Sequence, residues 1–245
     1  MITQSDSQQL LFWTLFGIAA TISATVQRLL GFGFGLVAMS ILPYVMDVRQ
    51  ANVVVSLAAV PTLMMIYWSH RGDVHRRTLQ VVLLGALGGL LPGLFLFSMV
   101  DSSWLTRGTG AVVLLIAIDL LRGQLPDPQR EPSLAWGVFS GTVSGMLAGA
   151  IGIPGPPVAA YGARQPWSPD EFRAFTAGFF LCLGVVKVIA LAGTGFIDVP
   201  VVTATALSLP FVVVGYQLGA IVAARINAAR FRQFVLIALA ISAAV

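Results

Sequence analysis

Long runs of apolar residues, separated by short polar stretches, make up most of the chain. A helix needs about 20 apolar residues to cross the hydrocarbon core of a membrane. The pattern predicts ten helical segments, at 10–30, 33–46, 52–69, 79–99, 105–121, 134–151, 154–163, 172–193, 199–222 and 230–245. Segments 33–46 and 154–163 are too short to cross, and each follows a break rich in glycine. The sequence therefore predicts an all-α, polytopic integral membrane protein.

The ten segments fall into two groups of five, one on each side of a long hydrophilic stretch. This division predicts four regions: an extracytoplasmic tail at 1–9, membrane repeat 1 at 10–121, a cytoplasmic linker at 122–133 and membrane repeat 2 at 134–245. The breaks "LLGFGFG" and "LAGAIGIPGPP" align at an offset near 121 residues. If each short segment folds back on its predecessor as a re-entrant hairpin, three transmembrane helices follow in each half. An odd number of spans inverts the second repeat relative to the first.

The composition excludes several classes of protein. The chain is 57% apolar and only 10% charged, whereas soluble domains carry about 25% charged residues. Its net charge of +4 suggests no nucleic-acid partner, because the arginines lie at segment ends and form no basic stripe. The N-terminus lacks the positive region of a cleaved signal peptide, so we expect the first segment to be retained. The single cysteine, Cys182, lies in an apolar run, and we expect neither a metal site nor a cofactor.

The arginines divide unequally between the two faces of the predicted topology. Only Arg49 and Arg107 fall in loops on one face. The loops on the other face carry Arg71, Arg76, Arg77, Arg122, Arg130, Arg164, Arg173, Arg225, Arg230 and Arg232. Because cytoplasmic loops carry an excess of basic residues, this distribution predicts a multi-pass protein of the cell inner membrane with both termini outside.

The glycine breaks predict where a ligand binds. Gly31, Gly33 and Gly35 interrupt the first apolar run, and the second is interrupted at Gly152, Gly155 and Pro156. A helix that begins inside a membrane presents free backbone N–H groups and about half a positive charge, which suit an anion. The alternative is that these glycines only allow close helix packing.

Two cations within apolar segments strengthen the anion interpretation. Lys187 lies near the middle of its segment and Arg28 lies just before the first break, while no acidic residue lies at a similar depth. A charge at the centre of a bilayer costs at least about 2.5–3.5 kcal/mol, so such residues usually face a cavity. An anionic substrate would supply the missing counter-charge. The alternative is that either side chain extends to the membrane interface. Gln27 and Tyr161 are further candidate ligands, because neither is easily satisfied within its own helix.

The paired breaks, the second written "GIPGPPVAAY", resemble those of the TauE/SafE family of sulfite exporters. The stretch "LPFVVVGYQLGAIVAARI" at 209–226 is similar to the family's penultimate helix, and the resemblance covers roughly residues 10–245. It implies transport of small sulfur-containing or organic anions, such as sulfite, sulfoacetate or other sulfonates.

The leading hypothesis is a secondary transporter that exports a small anion by alternating access at the repeat interface. The candidate substrate-binding residues are Gln27, Arg28, Gly31, Gly33, Gly35, Gly152, Gly155, Pro156, Tyr161 and Lys187. An anion channel with the same electropositive constriction is the alternative. An enzyme is disfavoured, because the spans contain no histidine cluster, paired carboxylates or metal-ligand spacing. The expected partners are the anionic substrate and the lipid bilayer, and homodimerisation is left open.

Overall fold

The computed structural model describes residues 4–99, 133–193 and 195–242. Over these ranges the chain forms nine α-helices and no strand: α1 (Gln4–Leu30), α2 (Phe34–Ile41), α3 (Val48–His70), α4 (Arg76–Met99), α5 (Leu134–Ile151), α6 (Gly155–Ala163), α7 (Pro169–Ala192), α8 (Val199–Ala223) and α9 (Ala228–Ser242). Helices α3, α4, α7 and α8 are long and apolar enough to cross a membrane. The chain is therefore an all-α polytopic membrane protein.

Nine of the ten predicted segments correspond to helices in the described part of the chain. Segment 105–121 and most of the predicted linker at 122–133 lie outside the described residues. Helix α1 begins at Gln4, within the predicted tail. Helix α2 has eight residues, a length of about 12 Å, so it cannot span a hydrocarbon core of about 30 Å. The predicted boundaries between repeats and linker stay predictions.

Polar side chains cap the helices at the ends of the apolar runs. Asp47 accepts from the Arg49 N–H at the start of α3, and Asp198 accepts from the Val201 N–H at the start of α8. Ser168 begins α7 with a capping box completed by the Glu171 side chain. These caps satisfy N–H groups that have no partner within the helix, so the polar residues between apolar runs define where each helix starts.

Helices α4 and α5 approach each other unusually closely along two rows of glycine. The rows, with a spacing of four residues, are Gly85, Gly89 and Gly93 on α4 and Gly141, Gly145 and Gly149 on α5. A Cβ at Gly89 would overlap the carbonyl oxygen of Thr142, and one at Gly145 would overlap that of Ala86. Small residues at this spacing allow backbone-to-backbone packing in membranes. The pair joins the first half of the chain to the second.

Helices α1 and α8 form a second close pair between the two halves. A Cβ at Gly215 would overlap the carbonyl oxygen of Thr21. One at Gly219 would lie 2.6 Å from the carbonyl oxygen of Thr25 and 2.7 Å from the Cβ of Arg28. The hydroxyl of Thr25 also donates to the Gly215 carbonyl at 3.0 Å, so a hydrogen bond accompanies the close packing.

The first turns of α4, α7 and α9 lie at one end of the bundle. His75, just before α4, contacts the Glu171 carboxylate of α7 at 3.0 Å and stacks on Trp167. The guanidinium of Arg173 on α7 lies 4.7 Å from the ring centroid of Phe231 on α9. Several of the arginines assigned to the cytoplasmic face therefore share one end of the structure.

We expect Gly89→Val to destabilise the protein by about 1–3 kcal/mol or more, because the new side chain would overlap the α5 backbone. The matched control is Gly88→Val, since Gly88 is exposed and, within the described part of the chain, nothing lies within 4 Å of its Cβ position. Thermal unfolding in detergent compares the two variants. Equal melting temperatures would show that the close α4–α5 packing does not contribute to stability.

Candidate functional site

The first break separates α1 from α2 through two glycines in the left-handed conformation. Gly31 has φ +83° and Gly33 has φ +105°, values that L side chains rarely adopt. The Gly31 N–H donates to the Gln27 carbonyl at 2.7 Å and ends α1. Gly33 precedes α2 and provides no side-chain cap. The N–H groups of the first turn of α2 are therefore left for another acceptor.

The second break also contains a glycine in the left-handed conformation, but prolines follow it. Gly152, with φ +76°, ends α5, and its N–H donates to the carbonyls of Leu147 and Ala148. Pro156 and Pro157 occupy the first turn of α6, where proline is favoured because those N–H groups would have no partner. This break therefore presents fewer backbone donors than the first.

Serines of α5 fix α6 in place. The hydroxyl of Ser140 donates to the Pro157 carbonyl at 2.7 Å. The hydroxyl of Ser144 donates to the Pro154 carbonyl. Serines in membrane helices usually bond within their own helix, so these two bonds are an exception that stabilises the α5–α6 hairpin.

The two breaks contact each other directly. A Cβ at Gly35 would overlap the carbonyl oxygen of Gly152, and one at Gly155 would lie 3.1 Å from the Phe32 ring. Each break also packs on a helix in the other half, near the start of that helix. Gly31 lies against Arg173 and Thr176 of α7, and Gly152 lies against Asn52 of α3. The contact joins the two halves at the point where both helices are interrupted.

A cavity of about 70 Å³ lies beside these breaks. One water needs about 10–15 Å³ of such space, so the cavity can hold several waters or a small ion. Six of the predicted site residues line it: Gln27, Gly33, Gly35, Gly152, Gly155 and Lys187. The described residues of its wall include no carboxylate.

Lys187 supplies a buried positive charge to this cavity. Its side chain is 4% exposed, and its Nζ donates to Asn52 Oδ1 at 2.5 Å. Asn52 is itself 2% exposed and neutral. The amide orients the ammonium group and offers a dipole, but it does not neutralise the charge. Because taking a cation out of water costs several kcal/mol, this arrangement favours an anion in the cavity.

The first turn of α2 lines the same cavity. Phe34, Gly35 and Leu36 form the first turn of α2 and line the cavity together with Gln27. The Gln27 Oε1 accepts from the Thr62 hydroxyl at 2.9 Å, which fixes the amide. The positive end of α2 and the Lys187 ammonium thus lie on the same cavity. An oxyanion can accept hydrogen bonds from both.

Four predicted site residues do not line this cavity. Gly31 packs on α7, and Pro156 is buried in the first turn of α6. Tyr161 is 1% exposed, and its hydroxyl lies 3.3 Å from the Cβ position of Gly137 on α5. Arg28 packs against α8, with its guanidinium 5.3 Å from the centroid of the Tyr216 ring.

Asn52 is the principal site residue that sequence reasoning missed. It lies at the edge of the apolar segment predicted at 52–69, next to Arg49 and Gln50. Because that position resembles the polar start of a helix, the sequence does not identify the Asn52 amide as a partner of Lys187. The available signal is an amide at the boundary of a long apolar segment, where a buried polar side chain needs a partner. Ser56, one helical turn further along α3, also lines the cavity.

The helices and their buried cavity define an all-α, multi-pass membrane protein of the transporter class. A family model described as "Sulfite exporter TauE/SafE" matches residues 15–245. The chain belongs to this family of anion transporters. It is also 27% identical over 212 residues to the "Probable sulfite/organosulfonate exporter TauE" of Cupriavidus necator strain H16, with 84% of this chain and 82% of that protein covered. No solved structure matches the chain.

We expect Gly152→Ala to destabilise the protein more than Gly195→Ala does. Both glycines have left-handed φ values, so both variants lose about 1–2 kcal/mol. A Cβ at Gly152 would lie 2.6 Å from Asn52 Oδ1, whereas one at Gly195 would have no described residue within 4 Å.

Thermal unfolding of both variants measures the difference, which we expect to be on the order of 1–3 kcal/mol. Introduced into an Asn52→Ala background, Gly152→Ala should cost less than it does in the wild type, because the overlap is absent there. The same loss in both single variants would contradict the contact between the second break and Asn52.

Proposed function

We propose that the protein is a secondary transporter that exports a small anion, most simply sulfite or an organosulfonate such as sulfoacetate. The substrate occupies the cavity at the two helix breaks, between Lys187 and the first turn of α2. The observation that carries this proposal is the buried Lys187 ammonium with the neutral Asn52 as its hydrogen-bond partner. A transported anion supplies the counter-charge that the described cavity wall lacks.

The chemistry of the cavity supports an oxyanion. Lys187 donates from a point charge, and the α2 backbone donates from fixed N–H groups. The oxygens of sulfite or of a sulfonate group can accept from both at the same time. A cavity of about 70 Å³ fits an anion of this size. The family match and the relative named as a sulfite/organosulfonate exporter support the same substrate class.

Contacts between the two halves of the chain support alternating access by two inverted repeats. Gly31 and Gly152 are 121 residues apart, as are the first residues of α2 and α6, Phe34 and Gly155. Gly31 of the first half packs on α7 of the second, and Gly152 packs on α3 of the first. The close pairs α4–α5 and α1–α8 also each join one half to the other. Rocking of one half against the other would then expose the cavity to each side in turn.

The membrane potential favours export of an anion, and a proton gradient is the alternative driving force. With a negative cell interior, one negative charge that leaves gains about 2.3 kcal/mol per 100 mV. The proposed location is the cell inner membrane, with both termini outside. Ten arginines on one predicted face against two on the other support this orientation.

We expect Lys187→Met to reduce sulfite and sulfoacetate flux in proteoliposomes about 10- to 100-fold, since a hydrogen bond to a charged group is worth about 1.5–3 kcal/mol. Lys187→Arg keeps the charge and should retain part of the flux. Gln217→Leu is the control for loss of a polar side chain elsewhere in the membrane, because Gln217 is exposed on α8. Wild-type flux in Lys187→Met would remove this lysine from the site.

Counterflow separates a transporter from an anion channel with the same site. Proteoliposomes loaded with unlabelled sulfite should accumulate labelled sulfite transiently above equilibrium, because an alternating site exchanges one anion for another. A channel conducts without exchange and gives no overshoot. Flux without an overshoot would therefore replace the transporter with the channel.

A further inference from the structure

Arg28 has a buried guanidinium that the Lys187 cavity does not use. Its Nε and Nη1 atoms are shielded from solvent and have no hydrogen-bond partner among the residues that the structure describes. The residue follows Gln27 on α1, and successive residues of a helix point about 100° apart. Gln27 therefore lines the Lys187 cavity, while Arg28 points away from it toward α8.

Helix α8 holds Arg28 in a defined position. The guanidinium carbon lies 5.3 Å from the centroid of the Tyr216 ring, a distance at which a cation is attracted to an aromatic face. The aliphatic part of the side chain packs on Gly219, whose Cβ position is 2.7 Å from Arg28 Cβ and 3.2 Å from Arg28 Cγ. A fixed side chain with two free donor atoms is prepared to bind a ligand.

A second arginine adds positive charge to the same region. Arg173 is 5% exposed and contacts the backbone of Leu29, the residue that follows Arg28. Its Nε donates to the Leu29 carbonyl at 2.9 Å, and its Nη1 donates to Asp170 at 2.8 Å. Asp170 is thus engaged by Arg173, and Arg28 keeps its unbonded donors. The pair of arginines leaves a net positive charge beside the end of α1.

We infer that Arg28 forms a second oxyanion site, at the end of α1 and beside α8. It is distinct from the Lys187 cavity, because Arg28 is not among the residues that line that cavity and its guanidinium lies against Tyr216 of α8. Its ligand is an oxyanion that accepts from the guanidinium in a planar arrangement. Either the transported anion in transit or the phosphate of a lipid headgroup supplies that chemistry. Binding of the transported anion here rests on the proposed function, whereas binding of a lipid phosphate does not.

The number of bound anions tests this inference. Labelled sulfoacetate is equilibrated with purified protein in a maltoside detergent free of phospholipid. If the transported anion fills both sites, the wild type binds two per chain, and Lys187→Met and Arg28→Gln each bind one. Arg28→Lys keeps the charge and should bind two with a lowered affinity at one site. Arg225→Gln is the control for loss of an exposed arginine near the end of α8, and it should bind two.

A parallel measurement assigns the lipid source. Phosphatidylglycerol is titrated into the same proteins and detected by native mass spectrometry. If the site holds a lipid phosphate, sulfoacetate binds only once, and Arg28→Gln loses a bound phosphatidylglycerol that Arg225→Gln retains. If Arg28→Gln binds both sulfoacetate and lipid as the wild type does, the inference is overturned.

Two further outcomes separate the test of the Arg28 site from the test of the Lys187 cavity. If Lys187→Met retains full stoichiometry while Arg28→Gln loses one anion, the proposed central site fails and the Arg28 site stands. If Arg28→Gln does not yield folded protein, Tyr216→Leu replaces it, because that variant removes the ring under the guanidinium. Unchanged affinity for both probes in Tyr216→Leu would then overturn the inference.

Discussion

A positive charge buried beside a neutral partner is the constraint on which the arrangement of this protein depends. The Lys187 ammonium donates to the Asn52 amide, and the described wall of its cavity contains no carboxylate. A lone cation at such a site is costly unless an anion arrives or the charge is solvated. The two helix breaks make that arrangement workable, because they open a cavity that Lys187 and Gln27 reach inside an apolar bundle. The close packing of α4 on α5 and of α1 on α8 supports the walls around it.

The two breaks have similar backbone forms and contribute differently to the site. The first offers the N–H groups of α2, which carry the positive end of that helix toward the cavity. The second begins with prolines, which lack N–H groups, and it contributes Gly152 and Gly155 as close walls instead. The site is thus less symmetric than the order of the helices in the two halves, because prolines remove N–H groups from the second break. In the proposed mechanism the first break and Lys187 recognise charge, and the second break determines shape.

Much of this structure follows from local properties of the sequence. Apolar runs and their caps predict nearly every described helix, and clustered glycine and proline predict both breaks, because these signals depend on neighbouring residues. Lys187 stands out for the same reason, as a charge within an apolar run. The pairing of Lys187 with Asn52 joins residues 135 positions apart, so no local pattern reveals it. Arg28 follows Gln27 directly in the sequence, yet its side chain faces α8. Which helix each of these two side chains faces depends on how α1 packs in the bundle, and a local pattern does not give that. The Tyr161 hydroxyl points toward α5 for a similar reason.

The location of a bound anion tests the account most directly. Selenite is a pyramidal oxyanion like sulfite, and its selenium gives an anomalous X-ray signal that reports position independently of transport. Crystals of the protein grown with selenite should show an anomalous peak within hydrogen-bonding distance of Lys187 Nζ, beside the first turn of α2. The same peak should be absent from crystals of Lys187→Met. A peak that persists in that variant, or a wild-type map with no peak in the cavity at concentrations of selenite that compete for transport, would contradict the account.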